Sequence, residues 1–316
     1  MTDPSTVPSI KFYNGYSMPM FGLGTYLGNE EELEQAIKDA IDAGYRHIDT
    51  AFFYGNEKAA GRGIRAKIED GTIKREDIFV TTKLWNNFHK EERVVPACRK
   101  SVENLGLDYV DLYLMHWPFA YQDGDDLTPT DETGKLILAD IDYLETWRGM
   151  EECQRLGLTK SIGISNFNSE QITRLLSVAK IKPVNNQIEV NLNLPQKRLI
   201  EFCKKHDITV TGFSPLARPG NRSGVKIDLG NEKVLGLAKK YNKTPQQIAL
   251  RFVFQCGAAV IPKSVTKSRI VQNIQIFDFE LTAEEMSDLD SKATGERVSP
   301  MKQTEGAKYY PFSIPF

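Results

Sequence analysis

The sequence predicts a (β/α)8 barrel, an α/β fold in which eight parallel strands alternate with helices. The first observation is a regular rhythm of short apolar or β-branched runs, each joined to the next by an amphipathic helical stretch. The second is the number of these runs, because eight strand–helix units pair in parallel and close into a barrel of about 250 residues plus insertions. The third is the absence of a compositional break, which predicts a single barrel domain over residues 1–316.

The predicted elements follow one another in a fixed order. An alternating segment around Asn14-Gly15 comes first and predicts a β-hairpin that caps the bottom of the barrel. The predicted helices span 30–43, 56–70, 91–105, 142–156, 169–179, 196–206 and 231–255, and the last should divide where Thr244 can cap a helix that Pro245 opens. The predicted strands are Phe21–Gly24, His47–Thr50, Ile78–Lys83, Tyr109–Met115, Ser161–Ser165, Val184–Glu189, Thr209–Phe213 and Ala259–Ile261.

Three stretches lack helical and strand patterning, at 117–141, 214–230 and 292–316. They are too long for ordinary connections between a strand and a helix. Loops of this length are usually functional lids or disordered. We therefore expect these three stretches to carry substrate choice.

An alternative fold is a doubly wound sheet with a second domain. The stretch FGLGTYLG at 21–28 favours it, because its glycines and the later Asp49 approach the fingerprint of a dinucleotide-binding turn. However, Gly28 follows Gly24 after three intervening residues rather than two. A doubly wound protein would also show a domain boundary near the middle of the chain, and the composition marks none.

The composition is that of an ordinary globular protein. Forty basic and forty-two acidic residues give a net charge of −2, which argues against a nucleic acid or a membrane surface as the main partner. The N-terminus has no signal-peptide pattern, and no apolar run approaches 18 residues, so we expect a cytoplasmic protein. The four cysteines lie about fifty residues apart without a C-x-x-C pair, which predicts reduced, mostly buried thiols and no metal site.

Reactive side chains stand where three consecutive predicted strands end, which is where barrel enzymes place their functional groups. They are an acid, a phenol, an amine and an imidazole, namely Asp49, Tyr54, Lys83 and His116. Taken singly, each has a structural explanation, since a charge at a strand end is more often solvated or salt-bridged than catalytic. Their conjunction on neighbouring strands predicts one shared catalytic pocket.

Eight motifs in the same order resemble a known family, the aldo-keto reductases, along the whole chain. They are GLGT at 22–25, GYRHIDTAFFYGNE at 44–57, VTTKLW at 80–85, DLYLMHWP at 111–118, SIGISNF at 161–167, NQIEVN at 186–191, FSPLARP at 213–219 and VIPKSVTKSRIVQN at 260–273. The resemblance implies the (β/α)8 barrel, dependence on NADPH, and reduction of aldehydes and ketones to alcohols.

The family's catalytic residues match Asp49, Tyr54, Lys83 and His116. The resemblance implies that Tyr54 protonates the carbonyl oxygen as hydride arrives from the nicotinamide. The Lys83 ammonium is expected to lower the pKa of this phenol, ordinarily about 10, while Asp49 holds Lys83 in place. A neutral His116 would orient and polarise the substrate oxygen. The family's steroid double-bond reductases carry Glu at this position, so His116 favours carbonyl reduction.

The resemblance implies a cofactor site built mainly by the carboxyl-terminal half. Three polar side chains, Ser165, Asn166 and Gln187, should bind the nicotinamide amide. Phe213, where many relatives have Tyr, should stack on the nicotinamide ring. The loop from Ser214 to Arg218 should close over the pyrophosphate. Further expected contacts are Gly24, Thr25, Tyr26, Pro215, Leu216, Ser264, Val265, Thr266, Gln272 and Asn273.

Lys263 and Arg269 suit a dianionic 2′-phosphate, through a point charge and a planar fork respectively. Without the resemblance, solvated charges before a helix would be the favoured interpretation. With it, NADPH rather than NADH is the predicted cofactor.

The substrate wall is expected from aromatic rim residues and from the tail after Lys292. Rings at so many positions favour bulky or apolar carbonyl compounds, although two or three could simply pack the loops. Tyr26 stands where the aldose reductase branch commonly has Trp, so a preference for sugar aldehydes is open. The expected wall residues are Tyr26, Phe53, Trp85, Phe88, His116, Trp117 and Phe119.

The pattern is similar to insect members of the family, including 3-dehydroecdysteroid reductases. Two alternatives remain, a broad aldehyde or aldose reductase and a non-catalytic NADPH-binding module. We expect a monomer whose only partner is the small carbonyl substrate.

Overall fold

The computed structural model describes residues 3–217, 223–314 and 316. A short 3-10 turn, Pro4–Thr6, precedes the predicted hairpin, in which β1 (Ser9–Lys11) pairs antiparallel with β2 (Ser17–Pro19). The turn contains Gly15 at φ +93°, a left-handed conformation that glycine adopts without strain.

Eight parallel strands form the barrel. Their order is β12, β11, β10, β9, β6, β5, β4, β3, while β7 and β8 pair antiparallel outside it. The strands that follow the hairpin are β3 (Leu23–Gly24), β4 (His47–Asp49), β5 (Phe79–Leu84), β6 (Val110–Met115), β7 (Ala120–Tyr121), β8 (Leu138–Ala139), β9 (Thr159–Ser165), β10 (Asn185–Glu189), β11 (Thr209–Phe213) and β12 (Ala258–Val260).

The two ends of this sheet meet. Parallel bridges join Phe21 to Val260 and Gly24 to Lys263, and the Gly22 amide donates to the Val260 carbonyl at 2.9 Å. In a doubly wound sheet, the two edge strands would not pair with each other. The predicted barrel is therefore confirmed, and the doubly wound alternative is wrong.

Helices connect the strands and pack around the barrel. The stretch predicted at 231–255 divides as expected, because the Thr244 hydroxyl accepts from the Gln247 amide and Pro245 begins the second helix. The helices are α1 (Glu30–Asp42), α2 (Glu57–Glu69), α3 (Glu91–Leu105), α4 (Tyr143–Arg155), α5 (Ser169–Leu176), α6 (Lys197–Lys205), α7 (Glu232–Tyr241), α8 (Pro245–Gln255), α9 (Lys267–Asn273) and α10 (Ala283–Asp290). Helix α10 is not among the helices that the sequence patterns predict.

Two of the three long stretches, 117–141 and the described part of 292–316, have contacts with residues at the carboxyl ends of the strands. The loop over 117–141 contains the β7–β8 hairpin, and it is held in place by the Trp85 indole, which donates to the Leu127 carbonyl at 2.6 Å. The tail over 292–316 contains two short 3-10 turns, Lys302–Thr304 and Pro311–Ser313.

Cys98, Cys153 and Cys203 are buried, Cys256 is partly buried, and all four are free thiols. Across residues 3–217, 223–314 and 316, no three His, Cys, Asp or Glu side chains lie together as a metal ion would require. None of the described helices combines the length and the apolar character needed to cross a membrane.

Three histidines are buried in the neutral form, because burial lowers their pKa. The pKa falls to about 4 for His47 and to about 3 for His89, and it lies well below the ordinary value for His116. Both ring nitrogens of His89 lack a hydrogen-bond partner among the described residues. An unfolded chain takes up these protons near pH 6.5, whereas the folded chain does not.

We therefore expect His89 to make folding stability fall as the pH drops from about 6.5 towards 3, by up to about 1.4 kcal/mol per pH unit. Urea unfolding at several pH values between about 6 and 4 should show a shallower slope for His89→Gln than for the wild type. His206→Gln, which removes a partly exposed imidazole, is the matched control. Equal slopes for the wild type and His89→Gln would contradict this account.

Candidate active site

A buried ion pair lies at the carboxyl ends of β4 and β5. The Lys83 ammonium is fully buried, and it donates to Asp49 Oδ1 at 2.6 Å and to the Thr50 carbonyl at 2.8 Å. The second carboxylate oxygen of Asp49 accepts from Gln187 Nε2 at 2.6 Å. The adjacent strands β4 and β5 bring the acid and the amine together, and β10 reaches across the barrel mouth to complete the network. Asp49 is therefore fully engaged and has no role as a ribose ligand.

Tyr54 lies beside this pair at the end of a short 3-10 turn, Phe52–Tyr54, that follows β4. Its ring centre is 5.2 Å from Lys83 Nζ and 5.8 Å from the centre of the His116 ring. The structure thus brings the four side chains of the predicted pocket together at one end of the barrel.

The electrostatics of Tyr54 differ from the expectation. Its pKa is raised well above the ordinary value, first by burial, then by the Asp49 carboxylate and by Tyr26. The net shift is opposite in direction to the expected one, because burial and the Asp49 carboxylate outweigh the effect of the Lys83 ammonium. Lys83 lies 2.6 Å from Asp49, so the carboxylate offsets part of the effect of the ammonium on Tyr54. The phenol therefore stays protonated at neutral pH and is available as a proton donor.

His116 faces Tyr54 as a neutral imidazole, as expected. Burial and the Lys83 charge both lower its pKa, and its side chain is almost fully enclosed. The Nδ1 atom has no hydrogen-bond partner within the described part of the chain. The backbone carbonyl of His116 accepts from Asn166 Nδ2 at 3.0 Å, which ties the end of β6 to the end of β9. The ring packs edge-on against Trp85 and Tyr54, whose ring centres lie 5.2 Å and 5.8 Å from its own.

The residues expected at the nicotinamide end lie together on β9 and β10. The Ser165 hydroxyl donates to the Gln187 carbonyl at 2.8 Å and accepts from Asn166 Nδ2 at 3.2 Å. Asn166 has φ +62°, a left-handed conformation that is uncommon outside glycine and often marks functional sites. Thr25, in the loop after β3, has a buried Oγ1 atom without a hydrogen-bond partner among the described residues. A ring of amide and hydroxyl groups fits the carboxamide of a nicotinamide.

The FGLGTYLG segment has a packing role at this end of the barrel. A Cβ on Gly24 would lie 2.9 Å from the Ile261 carbonyl oxygen. The close approach of β3 to the segment after β12 therefore requires glycine. Asn56 Nδ2 donates to the carbonyls of Thr25 at 2.9 Å and of Gly28 at 3.2 Å. These contacts fix the loop at the mouth of the barrel. They do not form a phosphate-binding turn that opens a helix.

The basic residues expected at the 2′-phosphate lie just beyond β12. Lys263 and Arg269 are exposed, and neither has an ion-pair partner among the described residues, whereas Lys267 between them pairs with Asp39 at 2.9 Å. Ser264 is buried, and its hydroxyl accepts from the Thr266 amide at 3.1 Å. Two unpaired cations on one segment fit a dianionic group. The other residues expected here are Val265, Gln272 and Asn273, on the segment that runs into and along α9.

The loop expected over the pyrophosphate starts directly after β11. Phe213 is the last residue of that strand and is partly buried. Ser214 and Ala217 have φ values of +50° and +52°, so this turn is strained, and the Ser214 carbonyl accepts from Asn191 Nδ2 at 3.4 Å. Pro215 is buried and Leu216 is partly buried. Arg218 lies outside the described residues.

Aromatic residues form a wall on the other side of His116. Trp85 stacks on Phe53 with ring centres 3.8 Å apart and meets the His116 ring edge-on at 5.2 Å. Trp117 is 5% exposed and packs against Phe119 and, in the tail, Phe312. Phe88 and Phe119 pack chiefly into the loops, with Phe119 only 1% exposed. Tyr26 is 39% exposed and stands 5.0 Å from Tyr54, ring centre to ring centre.

Sequence reasoning missed several residues that organise this site. Asn56 fixes the rim loop, and Glu57, buried at the start of α2, accepts from Thr82 Oγ1 at 2.6 Å and from Asn104 Nδ2 at 2.9 Å. Glu189, at the end of β10, binds the tail. All three residues lie within the family motifs at 44–57 and 186–191, but the motifs do not show which contacts these polar side chains make.

The site defines a class of protein: a barrel enzyme with a buried acid–amine pair, a phenol and a neutral imidazole at the carboxyl ends of its strands. The family model for the aldo/keto reductase family matches residues 20–294. An aldo-keto reductase family 1 member C23-like protein of Equus caballus is 44% identical over 312 residues, 96% of this chain and 97% of its own. Prostaglandin F synthase 2 of Bos taurus is 44% identical over 313 residues, with the same shares covered.

Two solved structures agree with these relatives. The crystal structure of a Bombyx mori aldo-keto reductase in complex with NADP has a TM-score of 0.90 and 41% identity, over 98% of this chain and 100% of that one. The aldose reductase from Schistosoma japonicum has a TM-score of 0.93 and 42% identity, with the same coverage. This chain belongs to the aldo/keto reductase family. The family reduces carbonyl groups with NADPH, so the protein is an NADPH-dependent oxidoreductase, and the predicted family, enzyme class and cofactor are confirmed.

Proposed function

We propose that this protein reduces bulky aldehydes and ketones to alcohols, with Tyr54 as the general acid. The observation that carries the proposal is the convergence of Tyr54 and His116 above the buried Asp49–Lys83 pair. A substrate carbonyl between the phenol and the imidazole would meet one proton donor and one polar, uncharged neighbour. We further propose that the whole chain acts as one barrel domain and as a cytoplasmic monomer.

The high pKa of Tyr54 is compatible with proton donation. The raised pKa keeps the phenol protonated until the reaction, and the proton moves as hydride transfer places negative charge on the carbonyl oxygen. Lys83 then stabilises the phenolate that is left, and Asp49 and the Thr50 carbonyl keep Lys83 in position. His116 orients the oxygen with a neutral ring, since an imidazolium beside Lys83 is strongly disfavoured.

When bound, NADPH supplies the hydride that reduces the carbonyl carbon. Ser165, Asn166 and Gln187 would hold its carboxamide, and Phe213 would offer an aromatic face to the ring. Gln187 also donates to Asp49, so one side chain would link the nicotinamide site to the ion pair. The rim residues Gly24, Thr25 and Tyr26, the turn from Ser214 and the segment from Lys263 to Asn273 would complete the site.

Arg269 should govern the choice of cofactor. Because its exposed guanidinium has no ion-pair partner among the described residues, Arg269→Ala removes only the contact with the 2′-phosphate. We expect kcat/KM for NADPH to fall by about tenfold, since a hydrogen bond to a charged group contributes about 1.5–3 kcal/mol and exposure weakens it. The value for NADH should not change. Arg155→Ala, at an exposed ion pair on α4, is the control. An equal loss of kcat/KM with NADPH and NADH in Arg269→Ala would contradict the contact between Arg269 and the 2′-phosphate.

The substrate is proposed to be a bulky, apolar or steroid-like ketone, such as a 3-dehydroecdysteroid. The proposal rests on the stacked Phe53–Trp85 pair and on the Trp117–Phe312 contact, which offer flat apolar surfaces beside His116. The similarity to an insect aldo-keto reductase and to prostaglandin F synthase supports a large lipid-like carbonyl compound.

Reduction of small aldehydes or aldoses is the second candidate. The similarity to the Schistosoma japonicum aldose reductase favours it. An assay of NADPH oxidation with simple aldehydes, sugars, a 3-ketosteroid and a 3-dehydroecdysteroid separates the two. The bulky-ketone proposal predicts the highest kcat/KM for the last two compounds. A preference for the sugars would overturn it.

A further inference from the structure

Glu189 is a buried carboxylate whose hydrogen bonds do not reach Asp49, Tyr54, Lys83 or His116. It is the last residue of β10 and is 1% exposed. Its Oε1 atom accepts from the Val298 backbone amide at 2.6 Å and from Asn191 Nδ2 at 3.1 Å, and its Oε2 atom accepts from the Ser299 amide at 2.9 Å. Two of its three donors therefore come from the carboxyl-terminal tail.

This arrangement makes the carboxylate depend on the tail. A buried charge without hydrogen-bond donors is strongly unfavourable, whereas hydrogen bonds to an ionised acceptor are roughly twice as strong as neutral ones. Burial raises the pKa of Glu189, and the two tail amides and the Arg297 charge oppose that rise. Displacing the tail would leave Glu189 with Asn191 as its one neutral donor. The ionised carboxylate therefore favours the docked position of residues 297–299.

The docked segment continues into the aromatic wall. The Arg297 guanidinium lies 3.8 Å from the centre of the Phe312 ring. Phe312 meets Trp117 edge-on, with ring centres 5.9 Å apart, and Trp117 directly follows His116. The Ser223 hydroxyl donates to the Val298 carbonyl at 3.0 Å, so a second segment of the chain supports the same stretch of tail. A continuous path of contacts thus leads from Glu189 to the wall beside the catalytic pocket.

We propose that Glu189 is a positioning residue that anchors the tail and so fixes the Phe312–Trp117 face against which a bulky carbonyl substrate packs. The kinetic part of this proposal rests on the proposed function, whereas the anchoring part does not. Glu189 touches neither substrate nor reacting atoms. Its effect should therefore fall on the affinity for large substrates and spare the chemistry of small ones.

Hydrogen exchange tests the anchor directly. In Glu189→Gln, an amide nitrogen faces one of the two tail amides, so one of the two hydrogen bonds is lost. The other is weakened, because its acceptor is no longer charged. We expect the Val298 and Ser299 amides to exchange about tenfold to a hundredfold faster than in the wild type. Glu296→Gln, at an exposed carboxylate in the same tail, is the matched control and should leave these rates unchanged. Unchanged rates in Glu189→Gln would overturn the anchor.

Kinetics test the consequence for the substrate. For Glu189→Gln, KM for a 3-ketosteroid should rise about tenfold, while kcat and KM for a small aldehyde stay at the wild-type values. Glu189→Asp, which keeps the charge, should recover part of the lost affinity. An equal loss with both substrates, or a fall in kcat for the aldehyde, would overturn the positioning role.

A second variant covers the case in which Glu189→Gln does not fold. Ser299→Pro removes one tail donor and substitutes no residue of the barrel. It should speed exchange at Val298 and raise KM for the 3-ketosteroid only, and no change in either would overturn the proposal. Should the wild type reduce no carbonyl compound, the proposed function falls, and the exchange rates alone decide whether Glu189 anchors the tail.

Discussion

Replacing Tyr54 with phenylalanine should abolish carbonyl reduction while leaving NADPH binding intact. The variant keeps the ring between Lys83 and His116 and removes only the hydroxyl group that donates the proton. General acid catalysis contributes about 10²- to 10⁴-fold to a rate, so we expect kcat to fall by at least that range. Steady-state assays give kcat, and a fluorescence titration with NADPH gives the binding constant.

Tyr16→Phe is the control for this prediction. Tyr16 is 46% exposed in the hairpin at the opposite end of the barrel, so losing its hydroxyl should leave kcat unchanged. If Tyr54→Phe kept wild-type turnover, Tyr54 would not be the proton donor. If it lost NADPH binding as well, the loss of turnover would reflect a damaged cofactor site.

Replacing Lys83 with methionine should remove both activity and much of the stability. The ammonium is fully buried and is held by Asp49 at 2.6 Å and by the Thr50 carbonyl. Methionine fills a similar volume but leaves the Asp49 carboxylate in the interior with Gln187 as its remaining donor. Breaking one partner of a buried ion pair destabilises a protein by about 3–5 kcal/mol.

The double variant Asp49→Asn/Lys83→Met separates stability from catalysis. It removes both charges, so urea unfolding should return most of the free energy that Lys83→Met loses. Activity should stay lost, because no ammonium remains to stabilise the Tyr54 phenolate. Normal stability of Lys83→Met alone, or recovered turnover in the double variant, would contradict the role given to the ion pair.

The architecture was predictable because its signals are local. Each strand carries its own apolar run, and each helix its own periodicity and cap, so the alternation of the two sufficed for the barrel. Helix α10 was missed although Thr282 and Glu285 form a capping box, because Leu289 is its only buried residue and its apolar periodicity is weak. The meeting of Asp49, Lys83 and His116 was predictable because adjacent parallel strands end at the same edge of the barrel.

Properties that depend on distant contacts were not predictable. The raised pKa of Tyr54 comes first from burial and then from the Asp49 carboxylate and Tyr26, and the extent of burial cannot be read from the motif that contains Tyr54. Glu189 lies in sequence beside predicted cofactor residues, yet its donors Val298 and Ser299 are 109 and 110 residues away. The packing of Phe119 into the loops likewise depends on how residues 117–141 fold back.

The central claim is that the four converging side chains carry out carbonyl reduction with NADPH as the hydride donor. The most direct measurement counts the alcohol formed and the NADPH consumed when purified protein is given a 3-ketosteroid or a simple aldehyde. The account predicts one alcohol for each NADPH with the wild type, and neither product formation nor consumption above background with Tyr54→Phe. The account would be contradicted if the wild type bound NADPH tightly but oxidised it with none of the carbonyl compounds in the panel.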